Sequence, residues 1–558
     1  MTQAALAPAD SRSRPMTAQE RRVVFASSAG TIFEWYDFYL YGSLASIIAK
    51  NFFSNVNPTA SYIFALLAFA AGFAVRPFGA VVFGRLGDLV GRKYTFLLTI
   101  LIMGLSTFLV GLLPTFNAVG FAAPIFLVLL RLFQGLAIGG EYGGAAIFVG
   151  EHAPQRRRGF YTSWIQITAP LGLLLSLLVV LGFRTLLGEE NFEIFGWRFP
   201  FLFSFVLLIG SVWMRLQLSE SPAFRQMKAQ GRGSRAPVSE AFGQWGNARI
   251  ALIALFGGTA GQAVVWYTGL FYSYFFLTQT LKVDARDATL LSAGALILGA
   301  PFFVLFGWLS DRVGRKPIIL GGCLLSALLF FPIFKGLTYA ANPALAQAQA
   351  SAPVTVIADP AQCHFQFDPI ENQAFTSPCD LAKNVLAGAA VSYANEAAPA
   401  GAVARLVIGG KEILAFDGTK LDRAERAQKR AAFEAEVAAA ISSAGYPLRA
   451  DPAQVNKPAV LGLLTALVLL VAMVYGPIAA QLVELFPTRI RYTSLSLPYH
   501  IGNGWFGGFL PPLAFAMVAA SGNMYFGLWY PVGVALMTFI IGLVLIPETK
   551  DRNIYSND

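Results

Sequence analysis

A ten-residue polar string occurs twice in this chain. Gly84-Arg85-Leu86-Gly87-Asp88-Leu89-Val90-Gly91-Arg92-Lys93 returns as Gly307-Trp308-Leu309-Ser310-Asp311-Arg312-Val313-Gly314-Arg315-Lys316. Each copy separates two long apolar runs, so each reads as a tight glycine-bearing turn between two membrane spans, held on the water side by Arg and Lys. Two distant copies mean two related halves. A second pair agrees: Glu151-His152-Ala153-Pro154-Gln155-Arg156-Arg157-Arg158 and Glu484-Leu485-Phe486-Pro487-Thr488-Arg489-Ile490-Arg491. The first pair is shifted by 223 residues and the second by 333. About 110 residues are therefore inserted between Lys316 and Glu484, far more than a loop needs.

Of 558 residues, 56% are hydrophobic and 13% charged, against about 25% charged in a soluble domain. Apolar runs long enough to cross a bilayer recur throughout. The expected fold class is an all-α polytopic membrane protein with twelve transmembrane helices in two six-helix halves, plus a small α+β extracytoplasmic insertion between helices 9 and 10. The net charge of +10 follows from arginine-rich turns on one side and does not indicate nucleic acid. The partner surface is lipid, and a functional monomer is expected.

Residues 1–22 form a polar cytoplasmic tail without an apolar core. The spans are expected near 23–49, 62–83, 95–113, 121–148, 159–183 and 199–218 in the first half, which covers residues 23–218. A basic cytoplasmic linker occupies 219–248. The second half supplies 250–277, 290–309 and 318–339 within 249–339. Three more spans near 458–482, 492–519 and 525–546 fall within 458–547, and a cytoplasmic tail covers 548–558. Short outer loops carry few Lys or Arg, so both termini are expected inside.

The insertion, 340–457, then faces outward. Val354–Ile357 and Leu406–Ile408 read as strands, with Gly409-Gly410 turning a hairpin into Lys411–Phe416. Thr419–Ser443 reads as a helix capped by Thr419 and stopped by Gly445. Cys363 and Cys379 share this outward segment and are candidates for a disulfide, with two free thiols as the alternative. Cys323 falls in span 9.

A charge inside a span needs a partner or a function. Span 1 carries Glu34 and Asp37, and span 4 carries Arg131 and Glu141. Arg131 reads as the only strongly basic residue deep in a span. One reading makes Asp37 the proton site: burial favours the neutral acid, an approaching Arg131 favours the ionised one, and protonation releases the arginine. The other makes Asp37–Arg131 a static bridge. Glu34 and Glu141 lie at similar depth and read as buried acids bonded to backbone or Trp groups, or as further coupling groups. Candidate cavity residues are Tyr36, Tyr41, Gln134, Gln166, Gln262, Tyr267, Tyr499, His500 and Asn503. Asp88, Arg92, Asp311 and Arg315 are read as an inner gate. Glu151 and Glu484 are its candidate partners, beside Arg156 and Arg489.

The paired turns resemble the signature loops of the major facilitator superfamily. Glu34-Trp35-Tyr36-Asp37-Phe38, Arg76-Pro77-Phe78-Gly79, Arg131-Leu132-Phe133-Gln134-Gly135, Gly139-Gly140-Glu141-Tyr142-Gly143-Gly144 and Glu220-Ser221-Pro222-Ala223-Phe224 resemble its metabolite:proton symporter branch. The resemblance implies a bacterial inner-membrane carrier of a small polar metabolite. Relatives of that kind move oxo-acids, citrate, shikimate-like acids, or proline and betaines. It also implies an Asp37–Arg131 coupling pair. The expected function is uptake of a small organic acid by proton symport and alternating access, with no cofactor beyond the coupling proton. A proline/betaine-type osmolyte carrier is the alternative. A membrane sensor with an outer ligand-binding domain is a third reading, separated by deleting the insertion: a carrier keeps flux, a sensor loses its response. No metal-ligand spacing and no nucleophile–base set is visible, so an enzyme is not expected.

Overall fold

The computed structural model describes residues 18–53, 58–364, 376–389 and 391–554. The first half contains α1 (Ala18–Ser43), α2 (Pro58–Leu89), α3 (Arg92–Leu112), α4 (Ala122–His152), α5 (Gln155–Leu187) and α6 (Arg198–Leu216). The second contains α7 (Trp245–Thr280), α8 (Ala285–Val313), α9 (Arg315–Ala341) and α10 (Lys457–Leu485). It is completed by α11, built from Arg491–Ile501, Gly502–Gly507 and Leu510–Ser521, and by α12 (Phe526–Leu545). Among the described residues, nine of these helices, α3 to α10 and α12, are long and apolar enough to cross a membrane. α1, α2 and α11 are outside that set, α11 being interrupted at Gly502–Gly507.

Outward faces show what surrounds the bundle. Leu101, Leu105 and Leu109 repeat every fourth residue on α3 and are exposed, as are Ile540 and Val544 on α12. Such apolar stripes are stable against lipid rather than water. Helices inside a half approach closely through small residues. A Cβ on Gly135 of α4 would lie 2.7 Å from the Cα of Gly72 on α2, and one on Gly139 would lie 2.7 Å from the nitrogen of Ala80. This is the close backbone contact that a small residue at every fourth position allows.

The repeated string is not a turn along its whole length. α2 stays helical to Leu89 and α8 to Val313. The turn is concentrated at Gly91 (φ +144°) and Gly314 (φ +124°), a conformation that favours glycine. The earlier glycines serve packing between the halves: a Cβ on Gly84 would lie 2.8 Å from the Cα of Thr493, and one on Gly307 would lie 2.5 Å from Ser163. Span 1 also differs from expectation, since α1 ends at Ser43 and a short helix, Ala45–Phe52, follows.

The inserted segment carries a sheet of order β2-β1-β3-β4. β1 (Val354–Ala358) runs parallel to β2 (Ala394–Ala397) and antiparallel to β3 (Arg405–Ile408), which pairs with β4 (Lys411–Leu414). Gly409 and Gly410, both at positive φ, close the hairpin. Alternate residues Val354, Val356, Leu406 and Ile408 are buried, as are Leu386, Phe433 and Val437 of the helices Pro378–Gly388 and Arg423–Ser443. The second helix starts later than expected. Asp422 caps it by accepting from the nitrogens of Ala424 and Glu425, while Thr419 is held by Asp417. A carboxylate next to the first turn is the better acceptor and suits the helix dipole.

This segment is seated on the second half. The nitrogen of Tyr393 donates to Gly522 O at 2.8 Å, Asn395 to Ser521 O at 2.7 Å and Lys383 to Ala520 O at 3.3 Å, all at the end of α11. Ala450 N donates to Lys282 O at 3.1 Å in the α7–α8 connection. Cys363 and Cys379 are joined, 16 residues apart, at the start of the helix bearing Lys383. Closing a loop of that size stabilises by about 3 kcal/mol. Cys379→Ser is therefore expected to speed amide exchange in Pro378–Gly388 by about 100-fold; unchanged exchange would show that the bond does not hold this helix.

Candidate functional site

A small cavity, with about 30 Å³ of room for a water-sized sphere, lies between the halves. Its walls come from α1 (Glu34, Trp35, Phe38), α2 (Arg76), α4 (Ile138, Tyr142), α7 (Trp266, Tyr267), α10 (Tyr475) and α11 (Tyr499, His500, Asn503). Aromatic contacts span it: Tyr142 stacks on Tyr499 at 3.6 Å, and Trp35 meets Trp266 at 5.6 Å. Nearer the inserted segment, Tyr39 stacks on Phe271 at 5.9 Å and Phe73 meets Tyr267 at 6.1 Å, closing that end.

Few polar atoms face this space, and several have no hydrogen-bond partner among the described residues. These are Glu34 Oε2, Arg76 Nε, Trp266 Nε1 and both ring nitrogens of His500. Arg76 is 7% exposed, its guanidinium 4.4 Å from the Phe73 ring and 5.1 Å from that of Phe38. Buried donors of this kind are ordinarily satisfied by a ligand or ordered water. The arrangement suits an anionic or zwitterionic small molecule: a fixed fork of donors beside an imidazole, inside an aromatic box.

Other predicted cavity residues are engaged elsewhere. Tyr36 points away from the interface and donates to Pro200 O at 2.7 Å, because two residues on a helix is more than half a turn from Glu34. Gln166 donates to the Tyr142 hydroxyl at 2.8 Å, behind the cavity wall, and Gln262 pairs with Asn503 at 3.1 Å. Tyr267, Tyr499, His500 and Asn503 do line the cavity.

The buried charges form two groups in the first half. Glu141 Oε1 contacts Arg215 of α6 at 2.5 Å, and Oε2 accepts from Thr99 at 2.5 Å. Glu141 is thus one side of an ion pair, not an acid bonded to backbone or Trp groups. Arg131 is also not alone: Arg76 and Arg215 are equally buried basic residues. Asp37, one turn beyond Glu34, is buried, and its Oδ1 has no hydrogen-bond partner among the described residues. Among the described residues, Asp37 and Arg131 make no ion pair within 4 Å. Arg131 Nη1 donates to Gln134 Oε1 at 2.5 Å, Gln134 Nε2 donates to Thr107 Oγ1 at 2.7 Å, and the Arg131 guanidinium lies 4.2 Å from the Tyr41 ring. A second, smaller cavity of about 10 Å³ lies between Arg76 and the Arg131–Gln134 pair and shares Phe38, Arg76 and Ile138 with the first.

At the end carrying the repeat turns, the halves are tied by a two-fold charge lattice. Asp88 accepts from the nitrogens of Tyr492 and Thr493, at 3.1 and 2.9 Å, where α11 begins. Asp311 accepts from Gly159 and Phe160 near the start of α5, both at 2.8 Å. Each aspartate also holds its own arginine, Asp88–Arg92 at 2.7 Å and Asp311–Arg315 at 2.6 Å. Glu151 pairs with Arg491 at 2.5 Å across the halves and with Arg92 at 3.9 Å. Glu484 pairs with Arg158 at 2.8 Å and with Arg315 at 3.1 Å.

The arginines expected beside the glutamates are the wrong ones. Arg156 is exposed, and Arg489 bonds Glu240 of the linker. Arg158 and Arg491 occupy the inner positions, because the short 3-10 turns at Gln155–Arg157 and Thr488–Ile490 rotate the chain before the next helix starts. Glu240 is partly buried, which disfavours its charge, but hydrogen bonds from Arg489 and Ser234 outweigh this and hold its carboxyl below the usual range.

Comparison with known proteins gives the same architecture. The family described as sugar (and other) transporter matches residues 23–241 and 433–558, and that described as MFS/sugar transport protein matches 142–358. The chain is 38% identical to the shikimate transporter of Escherichia coli over 325 residues, 57% of this chain and 73% of that one. It is 36% identical to the proline/betaine transporter of Salmonella typhimurium over 56% of this chain and 64% of that one. The fold is similar to that of the major facilitator superfamily proton:xylose symporter XylE bound to 6-bromo-6-deoxy-D-glucose. The TM-score is 0.61, at 14% identity over 96% of this chain and 98% of that one. With two related helical halves, a cavity between them and a charge lattice at one end, this multi-pass membrane protein belongs to the sugar (and other) transporter family of the major facilitator superfamily.

Proposed function

We propose that the protein imports a small organic acid together with protons. It would do so through twelve spans, with both termini and the charge lattice on the cytoplasmic side and the inserted segment outside. The observation that carries this reading is Arg76, a buried guanidinium facing the cavity between the halves with His500 beside it. An imported carboxylate would lie against these groups, and its ring or chain against Trp35, Trp266 and Tyr499. Closure of both ends supports alternating access by rocking of the halves. Asp37 is the proposed proton site, Arg131 its counter-charge, and Glu34 an accessory acid on the cavity side. The relatives named for shikimate and for proline and betaine support the substrate class at this level.

The test is uptake into proteoliposomes under an imposed inward proton gradient. Labelled shikimate is expected to accumulate, and an uncoupler to abolish the accumulation. Accumulation of glycine betaine instead would favour the zwitterion reading, which the aromatic walls also support because they can hold a quaternary ammonium. If neither responds to the gradient, proton symport fails. Asp37→Asn is expected to lose gradient-driven accumulation by at least about tenfold while substrate exchange at zero gradient continues. Persisting driven uptake in that variant would remove Asp37 as the proton site.

A further inference from the structure

Among the described residues, the charged side chains in the cavity wall are Glu34 and Arg76, and both come from the first half. His500 is the one side chain that the second half brings there, among the described residues, with a proton equilibrium near neutral pH. It is 1% exposed, and neither ring nitrogen has a hydrogen-bond partner among the described residues. A buried histidine in a structural role ordinarily has a ring nitrogen pinned by a carbonyl or carboxylate. His152 is such a case, with Nδ1 2.7 Å from Phe148 O. The ring of His500 is held instead by packing, edge-on to Tyr499 at 5.1 Å. It follows Pro498 and precedes the widened turn Gly502–Gly507, where α11 departs from regular helix. Such a turn inside a helix frequently accompanies a functional position. The other ionisable groups around it are Glu34 on α1, Arg76 on α2, Tyr142 on α4, Tyr267 on α7, Tyr475 on α10 and Tyr499 on its own helix. On elements packed against the start of α11, Asp88, Glu141 and Glu240 are taken by Arg92, Arg215 and Arg489.

We infer that His500 is a second proton site, filled when a carboxylate is bound between it and Arg76. The inference rests on the organic-acid reading and on Asp37 as the first proton site. With Glu34 ionised beside Arg76, the wall carries no net charge. An entering carboxylate adds one negative charge to a space that, before the halves part, has room for about two waters. A buried charge without a counter-charge is strongly disfavoured. A proton from the outer solution bonds to the ring nitrogen that lacks one, and no other covalent bond changes. The imidazolium then donates an N–H to the carboxylate, opposite the guanidinium, and the wall is neutral again. When the acid leaves on the inner side, the imidazolium faces Arg76 with no anion between them and returns its proton to the inner solution. A carboxylate held by α2 on one side and α11 on the other also draws the two halves together. Asp37 alone moves one proton with a monoanion and no net charge. With His500, two protons move with it and one positive charge crosses.

The test uses labelled shikimate and proteoliposomes, first at equal pH on both sides. An inside-negative potential of about 120 mV is expected to accumulate shikimate about 100-fold, the equivalent of one charge per molecule. His500→Gln keeps a hydrogen-bonding amide but takes no proton, and the potential is expected to give it no accumulation. About one unit of inward pH gradient is expected to accumulate shikimate about 100-fold in the parent and about tenfold in His500→Gln, at raised KM. The chain has three histidines, so spectra of isotope-labelled histidine nitrogens identify His500 by the signal lost in His500→Gln. That signal is expected to be neutral imidazole in neutral buffer and imidazolium once shikimate is added. Potential-driven accumulation retained in His500→Gln, or a His500 signal that stays neutral with shikimate bound, would overturn the inference. So would an equal loss of both driven modes and of zero-gradient exchange in His500→Gln and His500→Asn alike, since that marks a packing role. A parent driven by the pH gradient and indifferent to the potential leaves proton symport standing and removes the second proton. A parent indifferent to both removes the organic-acid symport reading, and this inference with it.

Discussion

Arg76→Gln is expected to lower kcat/KM for a carboxylate substrate by about 10²- to 10³-fold. The guanidinium sits by the rings of Phe38 and Phe73 and lines the cavity together with Glu34, Tyr267 and Tyr499. A carboxylate entering that space loses its water and regains two charge-assisted bonds only from a fork of fixed geometry. Truncating one side of such a buried pair costs about 3–4 kcal/mol, much of it the penalty for leaving the other charge unmatched. Arg76→Lys keeps the charge but not the fork, so a loss nearer tenfold is expected. The measurement is initial uptake rate against substrate concentration in proteoliposomes, with direct binding by calorimetry. An unchanged KM and affinity in Arg76→Gln would place the acid elsewhere in the molecule.

Arg76 also shows where the sequence was read well and where it was not. The repeated strings mark the two halves, the position of the insertion and the aspartates that bond across the halves, because each is a local pattern with a single physical reading. Depth was equally legible and went unused: Arg76 lies twelve residues before Asp88 on one helix, about 18 Å from the charged end. Counting from the repeat turn would have put it at mid-membrane beside Arg131. Tyr36 was separable from the cavity by helical angle alone. The choice among Arg156, Arg157 and Arg158 was not, because it depends on how a three-residue turn rotates the chain. The offset of 333 residues that pairs Arg158 with Arg491 does narrow it, since each then faces the glutamate of the opposite half. The hydrogen bonds from Arg131 to Gln134 and from Gln134 to Thr107 need α3 and α4 in register, which no local pattern reports.

Replacing both Asp88 and Asp311 by Asn is expected to open the lattice end of the molecule, raising the population of that state by about 10²-fold. Each aspartate bonds two backbone N–H groups near the start of a helix in the other half, so its charge stabilises the closed state through both hydrogen bonds and the helix dipole. Asparagine has one acceptor oxygen and no charge, and a loss of about 1.5 kcal/mol per site follows. The two sites lie on opposite sides of the pseudo-two-fold and share no partner, so their effects should add to about 3 kcal/mol. The remaining pairs, Glu151–Arg491 and Glu484–Arg158, are untouched, which keeps the protein folded and the closed state accessible. Val483 is buried against Gly150 across the halves, which makes it a reporter of separation. In a Cys323→Ser background, with Cys363 and Cys379 bonded to each other, Val483→Cys is the single reactive thiol. Its maleimide labelling rate should rise about tenfold for each single aspartate change and about 100-fold for the pair. Equal labelling with and without the aspartates would mean that packing, not charge, holds this end shut.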